Sequence, residues 1–522
     1  MMSNISLHSL LSRYRLVLLG IIILFSAVVR LYHLDTLPPG IYPDEAQNGY
    51  DAFRSLQDGT WKLFYPDNNG REGLFMILIG GVFALFGVGV WQLKLVSALC
   101  GIATVAGTYL LGREVFWRRR DGVALSLLSA ALMAGSLWHI NFSRIAFRAI
   151  LLPLILTLSA WLLLRAVRLL RSGRTRSAAF SALGSGIIFG IGLHTYIAWR
   201  IAPLVWLVLL IGLLWVYTRH RRALLSLAAT VLVGATLSAA PLLYTFAQHP
   251  EYLSSRSADI SVFSQDANII PLIAKNIVIM LGMFVWHGDQ NYRHGYPPHS
   301  ALEPVAAVAA VIGLLAMLCI AGRMVFSRRR SVEGAIAWFL LTWFALLLSP
   351  AFLTMEGLPH ALRSIGVLPV VYLFAATGIG TIWTLARRAP SPLRTTLIVI
   401  TLLLSLHTIA RDTTTYFTAW AQSPQLHEAF RVPLRTMAED ILRRSDNERP
   451  IVVHTGALER LVVRLLTRDD PSIYYIDKPA DIATIPAARL LYVTDCRALY
   501  DSGAVLLTVH RRDGYCRATL RP

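Results

Sequence analysis

The sequence predicts a mainly α-helical protein, a polytopic transmembrane bundle of about eleven spans with outer-face loops and a small C-terminal α/β domain. Three observations predict this architecture. Hydrophobic residues make up 55% of the 522 residues and charged residues only 15%, which is too apolar for one water-soluble domain. Long apolar runs alternate with short arginine-rich segments as far as residue 410. Beyond it, short apolar runs are separated by Pro, Asp and Gly.

The arginine clusters set the orientation of the bundle. Positively charged segments of membrane proteins stay on the cytoplasmic side, and here they lie at residues 113–120, 165–176, 219–222, 323–330 and 387–394. The net charge of +19 therefore reflects membrane topology, and we expect no nucleic-acid partner. Arg13 and Arg15 precede the first apolar run, so we expect a cytoplasmic N-terminus in a multi-pass protein of the inner (plasma) membrane.

Two apolar segments are not counted as spans. If residues 73–90 crossed the membrane, the later arginine clusters would all lie outside, so we expect this segment to lie in the outer leaflet or to re-enter it. Residues 269–286 are interrupted by Lys275 and Asn276 and are predicted to form an interfacial helix. With these assignments, residues 33–72 form the first outer loop.

The sequence divides into a transmembrane module, residues 1–410, and an extracytoplasmic α/β domain, residues 411–522. In the second part, turn signals bound three predicted strands and one predicted helix, at residues 451–454, 490–494 and 505–509 and at residues 457–466. Cys496 and Cys516 also lie there. They are either bridged, if the domain faces an oxidising compartment, or unpaired core residues.

The first outer loop supplies the candidate catalytic residues. It concentrates acids, amides and aromatics between apolar flanks, and at its centre Asp44 and Glu45 follow Pro43, which fixes the backbone before them. A carboxylate in this position can take a proton from an attacking hydroxyl group. The alternative is a structural role at a helix N-terminus, because an acid followed by Glu-Ala-Gln-Asn is a typical helix start.

Charged and imidazole side chains at the outer ends of the spans are the candidates for substrate binding. Ionisable groups at membrane depth are costly unless they are paired or hydrated, and the cations among them suit a phosphate leaving group. The candidates are Arg54, Arg71, Glu72, Arg144, Arg148, His194, His360 and Arg363. For Arg148 and Arg363 the alternative is pairing with lipid head groups or carbonyls, and for His194 it is a satisfied interfacial histidine.

We expect no cofactor and no metal. His287, His294 and His299 lie near Asp289, but their spacing in a loop rich in Pro and Gly is irregular. No Cys/His spacing typical of zinc sites occurs elsewhere in the sequence.

Several short motifs carry a family resemblance when taken in order. They are Pro-Asp-Glu at 43–45, Arg-Glu-Gly at 71–73, Phe-Ala-Leu-Phe-Gly at 83–87, Leu-Gly-Arg-Glu-Val-Phe at 111–116, Asn-Phe-Ser-Arg-Ile-Ala-Phe-Arg at 141–148 and Leu-Arg-Ser-Ile-Gly-Val-Leu-Pro at 362–369. Through them, residues 15–410 resemble the integral-membrane C-type glycosyltransferases, in particular the bacterial relatives of protein O-mannosyltransferases and of lipid A aminoarabinose transferases.

The resemblance implies a donor, a reaction and residue roles. Such enzymes transfer a sugar, with inversion, from a polyprenyl-phosphate donor to a lipid, glycan or protein acceptor on the outer face of the membrane. By this likeness Asp44 is the catalytic carboxylate and Glu45 an acceptor-orienting neighbour. Arg71 and Glu72 contact the donor, and Arg363 binds its phosphate. The mannosyltransferase branch carries an acid where this chain has Arg148, which leaves the acceptor open.

Two other functions are alternatives to sugar transfer. A transporter or flippase of lipid-linked sugars would place charged residues near the bilayer midplane and would show paired half-structures. Here the polar residues gather at one rim, and no internal repeat is evident in the sequence. A non-catalytic scaffold that binds membrane lipids is the third possibility.

Overall fold

The computed structural model describes residues 13–254, 262–264, 268–328, 330–355, 357–485 and 488–520. Position 329, within the arginine cluster 323–330, lies outside the described residues. Helices form the greater part of the fold, and the larger of its two β-sheets lies near the C-terminus. The predicted polytopic helical bundle with a small C-terminal sheet region is confirmed.

Within the described residues, nine helical stretches are long and apolar enough to cross a bilayer. They are Val90–Val115, Arg148–Arg171, Thr175–His194, Ile197–Val216, Thr218–Gln248, Pro304–Phe326, Val332–Phe352, Ile365–Ala386 and Ser391–Trp420. The predicted eleven spans consist of these nine and of Arg15–Leu31 and Gly122–Gly135, which have only 17 and 14 residues. The exact number of crossings and their direction stay predictions.

Both segments that were not counted as spans form short helices. Leu74–Phe86 has 13 residues and Ile269–Gly282 has 14. At about 1.5 Å per residue, such helices extend roughly 20 Å, less than the about 30 Å of a bilayer core. The helix Gly122–Gly135, which is counted among the spans, is equally short, so length alone does not distinguish them. The re-entrant and interfacial positions of the two helices stay predictions.

The core of the bundle is built on small residues. The apolar part of the helical stretch Ile365–Ala386 is 89% buried inside the protein, so this helix lies at the centre of the bundle. It packs on Pro304–Phe326 so closely that a Cβ on Gly313 would lie 1.8 Å from the carbonyl oxygen of Phe374. A Cβ on Gly378 would likewise lie 1.9 Å from the carbonyl oxygen of Ala309. Close helix packing through small residues is how membrane helices associate without a hydrophobic driving force.

The first outer loop folds into a helix and a hairpin. Pro43–Asp58 is the helix, and strands β1, Phe64–Tyr65, and β2, Arg71–Glu72, pair antiparallel with Tyr65 opposite Arg71. Further short helices connect the longer elements, namely Leu137–Phe142, Glu251–Ser254, Gln425–Ala429, Val432–Leu442, Arg460–Leu466 and Ala498–Asp501.

A five-stranded sheet forms the C-terminal region, in the order β4-β3-β5-β7-β6. The strands are β3, Ile451–His454; β4, Ile473–Ile476; β5, Leu490–Val493; β6, Leu506–Arg512; and β7, Tyr515–Leu520. Strands β4, β3 and β5 run parallel, and β7 and β6 are antiparallel to their neighbours. Cys496 and Cys516 form a disulfide with a Cα–Cα distance of 5.3 Å.

Sequence patterns located some of these elements and not others. The strand at 451–454 matches β3, and those at 490–494 and 505–509 overlap β5 and β6. The predicted helix at 457–466 begins later, at Arg460, and β4 and β7 were not predicted. The proposed domain boundary after residue 410 falls inside the helical stretch Ser391–Trp420.

The C-terminal region packs against the first outer loop. The hydroxyl group of Tyr50 donates to Asp469 Oδ2 at 2.9 Å, and Arg464 Nη1 donates to the Tyr50 oxygen at 3.3 Å. Arg435 Nη1 donates to the carbonyl oxygens of Asp35 and Pro39. The helix that carries Asp44 and Glu45 is therefore held between the bundle and the C-terminal region.

Candidate active site

The backbone before Pro43 starts the helix that carries the candidate carboxylates. Tyr42 is extended, with ψ of 147°, as expected for a residue that precedes proline, and Pro43 occupies the first turn. Glu45 Oε1 accepts the backbone N–H of Tyr42 at 3.2 Å, which is the reciprocal hydrogen bond of a capping box. Glu45 therefore supplies the cap, and Asp44 is not the N-cap residue.

Glu45 also joins the helix to the rest of the bundle. Its side chain is fully buried, and Oε2 accepts the backbone N–H of Ala146 at 2.7 Å. Burial raises the pKa of the Glu45 carboxyl, and the nearby Lys94 ammonium opposes this shift. Because both carboxylate oxygens bind backbone N–H groups, Glu45 holds two segments together instead of facing a pocket.

Asp44 lines a small polar pocket of about 60 Å³. Its side chain is half-buried, and Asn68 Nδ2 donates to Asp44 Oδ1 at 2.8 Å, its only hydrogen bond in the described part of the chain. The pocket is completed by Asn48, Asn68, Arg71, Phe147, Arg148, Ala149, Tyr196 and Leu362. One carboxylate thus faces two arginines from different parts of the sequence.

Both arginines in the pocket are fixed by buried partners. Arg71 Nη1 donates to Asn48 Oδ1 at 2.9 Å, and Arg71 Nη2 pairs with Asp51. Arg148 Nε donates to Glu72 Oε2 at 2.9 Å, and Arg148 Nη2 donates to the Gly70 carbonyl oxygen at 3.1 Å. Glu72 therefore reaches the site through Arg148, and the guanidinium groups hold defined positions beside Asp44.

Three predicted binding residues serve other contacts. Arg54 forms exposed ion pairs with Asp58 and Asp469. Arg144 is fully buried, and its guanidinium donates to the carbonyl oxygens of Val29, Tyr32, His33 and Leu37. It thereby binds the carbonyl groups at and just beyond the end of the Arg15–Leu31 helix. His194 Nε2 contacts the carbonyl oxygen of Ser238 at 3.0 Å.

The last two predicted residues lie on one segment beside the pocket. Leu362 lines the pocket, and the next residue, Arg363, donates from Nη1 to Thr354 Oγ1 at 2.5 Å. His360 Nδ1 lies 3.9 Å from Asp289 Oδ2 and outside the Asp44 pocket. Burial, with the nearby His294 and Arg363 charges, lowers the pKa of His360 to about 3.

Sequence reasoning missed three polar members of the pocket, Asn48, Asn68 and Tyr196. Asn48 follows Asp44 by four residues, a spacing that places both on one face of a helix, so the sequence held a signal for it. Asn68 lies in a tight turn with φ of 52°, and Tyr196 stacks under Arg148 with 5.7 Å from guanidinium to ring centroid. Asn68 and Tyr196 reach the pocket only when segments distant in the sequence fold together.

A larger opening of about 590 Å³ lies next to the small pocket. Tyr42 lines the larger opening and Phe147 the smaller one, and their rings meet edge to face with centroids 6.5 Å apart. The larger opening has walls of mixed character. Polar side chains on them include Asp289, Gln290, Asn291, Arg293, Gln425, Glu428 and Arg431, and Leu358, Pro359 and Ala429 are among the apolar ones. Its volume is in the range of about 300–1,000 Å³ typical of ligand sites.

Neither a protein-family model nor a curated protein matches the sequence, but solved structures match the fold. ArnT from Cupriavidus metallidurans in the apo state has a TM-score of 0.57 and 13% sequence identity, covering 97% of this chain and 98% of that one. The same protein bound to undecaprenyl phosphate gives 0.55 and 12% over the same shares. The apo oligosaccharyltransferase of Archaeoglobus fulgidus gives 0.53 and 15%, over 92% of this chain and 69% of that one.

These neighbours are GT-C glycosyltransferases. The chain has the GT-C fold. The resemblance that the short motifs carry is confirmed for the fold. This fold and the long apolar helices together indicate a multi-pass membrane protein. Within this GT-C fold, the helix Pro43–Asp58 and the hairpin β1–β2 bring Asp44, Arg71 and Arg148 to one pocket.

Proposed function

We propose that this chain transfers a sugar from a polyprenyl-phosphate donor to an acceptor hydroxyl group on the outer face of the membrane, with inversion. The observation that carries the proposal is the half-buried Asp44 carboxylate beside Arg71 and Arg148 in one polar pocket. The fold supports it, since ArnT of similar structure binds undecaprenyl phosphate, which is the leaving group of such a donor.

Asp44 acts as the general base. The acceptor oxygen attacks the anomeric carbon from the face opposite the phosphate and gives its proton to Asp44, while the bond from that carbon to the phosphate oxygen breaks. Polyprenyl phosphate departs with the bonding electron pair. Asn68 holds Asp44 Oδ1, so Oδ2 is the oxygen available to the acceptor. Glu45 acts as a positioning residue through its two backbone contacts.

The departing phosphate needs a cation beyond the two arginines of the pocket. Arg71 and Arg148 are balanced by Asp51 and Glu72, so this set is neutral and Asp44 adds a negative charge. A further positive charge stabilises the phosphate as charge develops on it. Arg363 is our candidate because it follows Leu362 in the wall of the pocket.

The acceptor enters through the larger opening. The polar side chains on its mixed walls can bind a hydroxyl-bearing group, whether that group belongs to a glycan, a lipid head group or a protein. Tyr42 lines this opening and Phe147 lines the Asp44 pocket, and their rings meet edge to face. We therefore expect an acceptor hydroxyl group to pass beside these rings.

The proposed orientation places this site outside the inner (plasma) membrane, with a cytoplasmic N-terminus and residues 411–522 on the outer face. The disulfide Cys496–Cys516 supports an outer C-terminal region, because disulfides persist in oxidising compartments. Cysteines introduced near Arg328 and Asp501 should label from opposite sides of the membrane, and labelling from the same side would overturn this orientation.

Transfer can be tested directly with purified protein. Labelled polyprenyl-phosphate sugars and a membrane extract are supplied, and released polyprenyl phosphate and newly glycosylated product are measured for wild type and for Asp44→Asn. If wild type releases polyprenyl phosphate and forms glycosylated product in equal amounts, and Asp44→Asn forms neither, the result supports a transferase. Movement of the intact donor across vesicles without a new product would favour the alternative, a transporter or flippase of lipid-linked sugars.

A further inference from the structure

Three potential metal ligands meet outside the Asp44 pocket. Asp289 and His294 come from the segment after the helix Ile269–Gly282, and His360 comes from the segment before Leu362. One ligand atom from each lies within 4.8 Å of the other two. The irregular spacing of the histidines in its own loop predicted no metal beside Asp289, whereas folding brings in His360, which is 71 positions away in the sequence.

The distances are close to those of a metal centre. His294 Nδ1 lies 2.7 Å from Asp289 Oδ2, and His360 Nδ1 lies 3.9 Å from the same oxygen. Two ligands about 2.1 Å from a tetrahedral zinc ion are about 3.4 Å apart. The two observed distances bracket this value, and all three ligand atoms lie within 4.8 Å of one another.

Second contacts hold the ligands in place, as they do in metal sites. Asp289 Oδ1 accepts the N–H of Asn291 at 2.9 Å, and Oδ2 accepts that of Ala361 at 2.8 Å. The ring of His294 stacks on Phe142 with centroids 5.8 Å apart. Trp420 Nε1 binds the carbonyl oxygens on both sides of the Arg293–His294 pair, those of Tyr292 and Gly295.

The surroundings of the cluster restrict the kind of ion that it can hold. Asp289 and His294 are buried, and Asp289 supplies the one carboxylate among the three ligands. Arg293 and Arg363 lie near His360 and repel cations. An ion that binds imidazole strongly is therefore favoured over a weakly coordinating one.

We propose that Asp289, His294 and His360 bind a divalent transition metal ion of the zinc class. Two imidazoles and one carboxylate are the ligand set of zinc sites that keep a fourth position open. Asp289 also lines the larger opening together with Leu358 and Pro359, so the ion has an entrance and an exchangeable position. The ion ties the 289–294 segment to the segment that carries Leu362 and Arg363.

The site is tested by metal content, which does not depend on sugar transfer. Full-length protein in detergent is stripped with chelator, freed of chelator and titrated with Co²⁺ alone, then with Zn²⁺. Wild type is compared with His360→Ala and with His287→Ala, which removes an exposed histidine from the same loop. His360→Ala is preferred to an Asp289 substitution because Asp289 also binds the backbone of Asn291 and Ala361.

Wild type and His287→Ala should bind a single equivalent of Co²⁺ with the visible absorption of a four-coordinate ion, and Zn²⁺ should displace it. His360→Ala should bind at least 10-fold more weakly, as expected for loss of a ligand or its support. Wild type that binds Co²⁺ no better than His360→Ala would overturn the site. Equal melting temperatures of the stripped proteins show that His360→Ala is folded, and Asp289→Asn gives a second ligand variant if they differ.

Discussion

Arg148 Nε donates to Glu72 Oε2 at 2.9 Å, and the two side chains are only 9% and 3% exposed. The pair joins the start of a spanning helix to strand β2, on which Arg71 also lies. A buried ion pair is costly to break because the remaining charge stays out of water. The chain offers a surface counterpart in Arg118 and Glu333, also 2.9 Å apart but 47% exposed on each side.

Arg148→Met should lower the free energy of unfolding by about 3–5 kcal/mol, since it leaves the Glu72 carboxylate buried and unpaired. Replacing both partners, Arg148→Met with Glu72→Leu, should recover part of this loss. Arg118→Met should cost at most about 1 kcal/mol. Thermal melting of the detergent-purified variants compares their stabilities. An Arg148→Met variant as stable as Arg118→Met would contradict a stabilising role of the buried Arg148–Glu72 pair.

Gly73 ends the hairpin that carries Arg71 and Glu72, and it allows a close approach of backbone. Its N–H donates to the carbonyl oxygen of Leu63 at 2.8 Å, and a Cβ at this position would lie 2.0 Å from the carbonyl oxygen of Lys62. Gly73→Ala should displace the hairpin and reduce sugar transfer by about 10-fold or more, because small misplacements of catalytic groups are costly.

Gly81 provides the matched control, since it lies in the adjacent helix with no heavy atom within 4 Å of a Cβ placed there. Gly81→Ala should leave transfer unchanged. Initial rates at saturating donor compare the two variants. Equal activity of both would show that the hairpin tolerates the shift and does not position the site.

The disulfide Cys496–Cys516 closes a loop with a sequence separation of 20. Titration of denatured, non-reduced protein should find two free thiols, those of Cys100 and Cys319, and a count of four would rule the bridge out. Cys496→Ser should lower the stability of the C-terminal region by about 3 kcal/mol, as expected for a loop of this length. Cys319→Ser, at an exposed position, should have no such effect.

The sequence predicted elements that depend on local patterns. Apolar runs located the long helices, and the arginine clusters gave a consistent orientation. Asp44, Arg71 and Arg148 were all named as candidates because charged groups near a membrane are informative, and the structure gathers them in one pocket.

What the sequence could not predict was which partner each charge would take. Arg144 looks like Arg148 in the sequence, yet it binds four backbone carbonyl oxygens of the first span and the loop after it. Glu45 is next to Asp44, but the helical turn directs it towards Ala146. Such contacts join segments about 100 positions apart and follow from tertiary packing, which no local pattern encodes.

Arg363→Ala should weaken donor binding and turnover together. A cation that faces the donor phosphate acts in the ground state and in the transition state alike, so both the dissociation constant and the single-turnover rate change. Arg54→Ala is the control, because Arg54 forms exposed ion pairs away from the pocket. Donor affinity is measured with a non-transferable analogue. Unchanged affinity in Arg363→Ala would exclude Arg363 as the phosphate ligand.

Asp44→Asn should reduce the single-turnover rate by about 100-fold or more, because it removes the base from the acceptor hydroxyl group. Folding and donor binding should survive, since the helix is capped by Glu45 and not by Asp44. Asp58→Asn, on the same helix but exposed and paired with Arg54, should leave the rate unchanged. If Asp44 were only part of the helix start, its Asn variant would stay active with at most a small loss of stability. An active Asp44→Asn enzyme of normal melting temperature would therefore exclude Asp44 as the base, and the reaction would need another proton acceptor in the pocket.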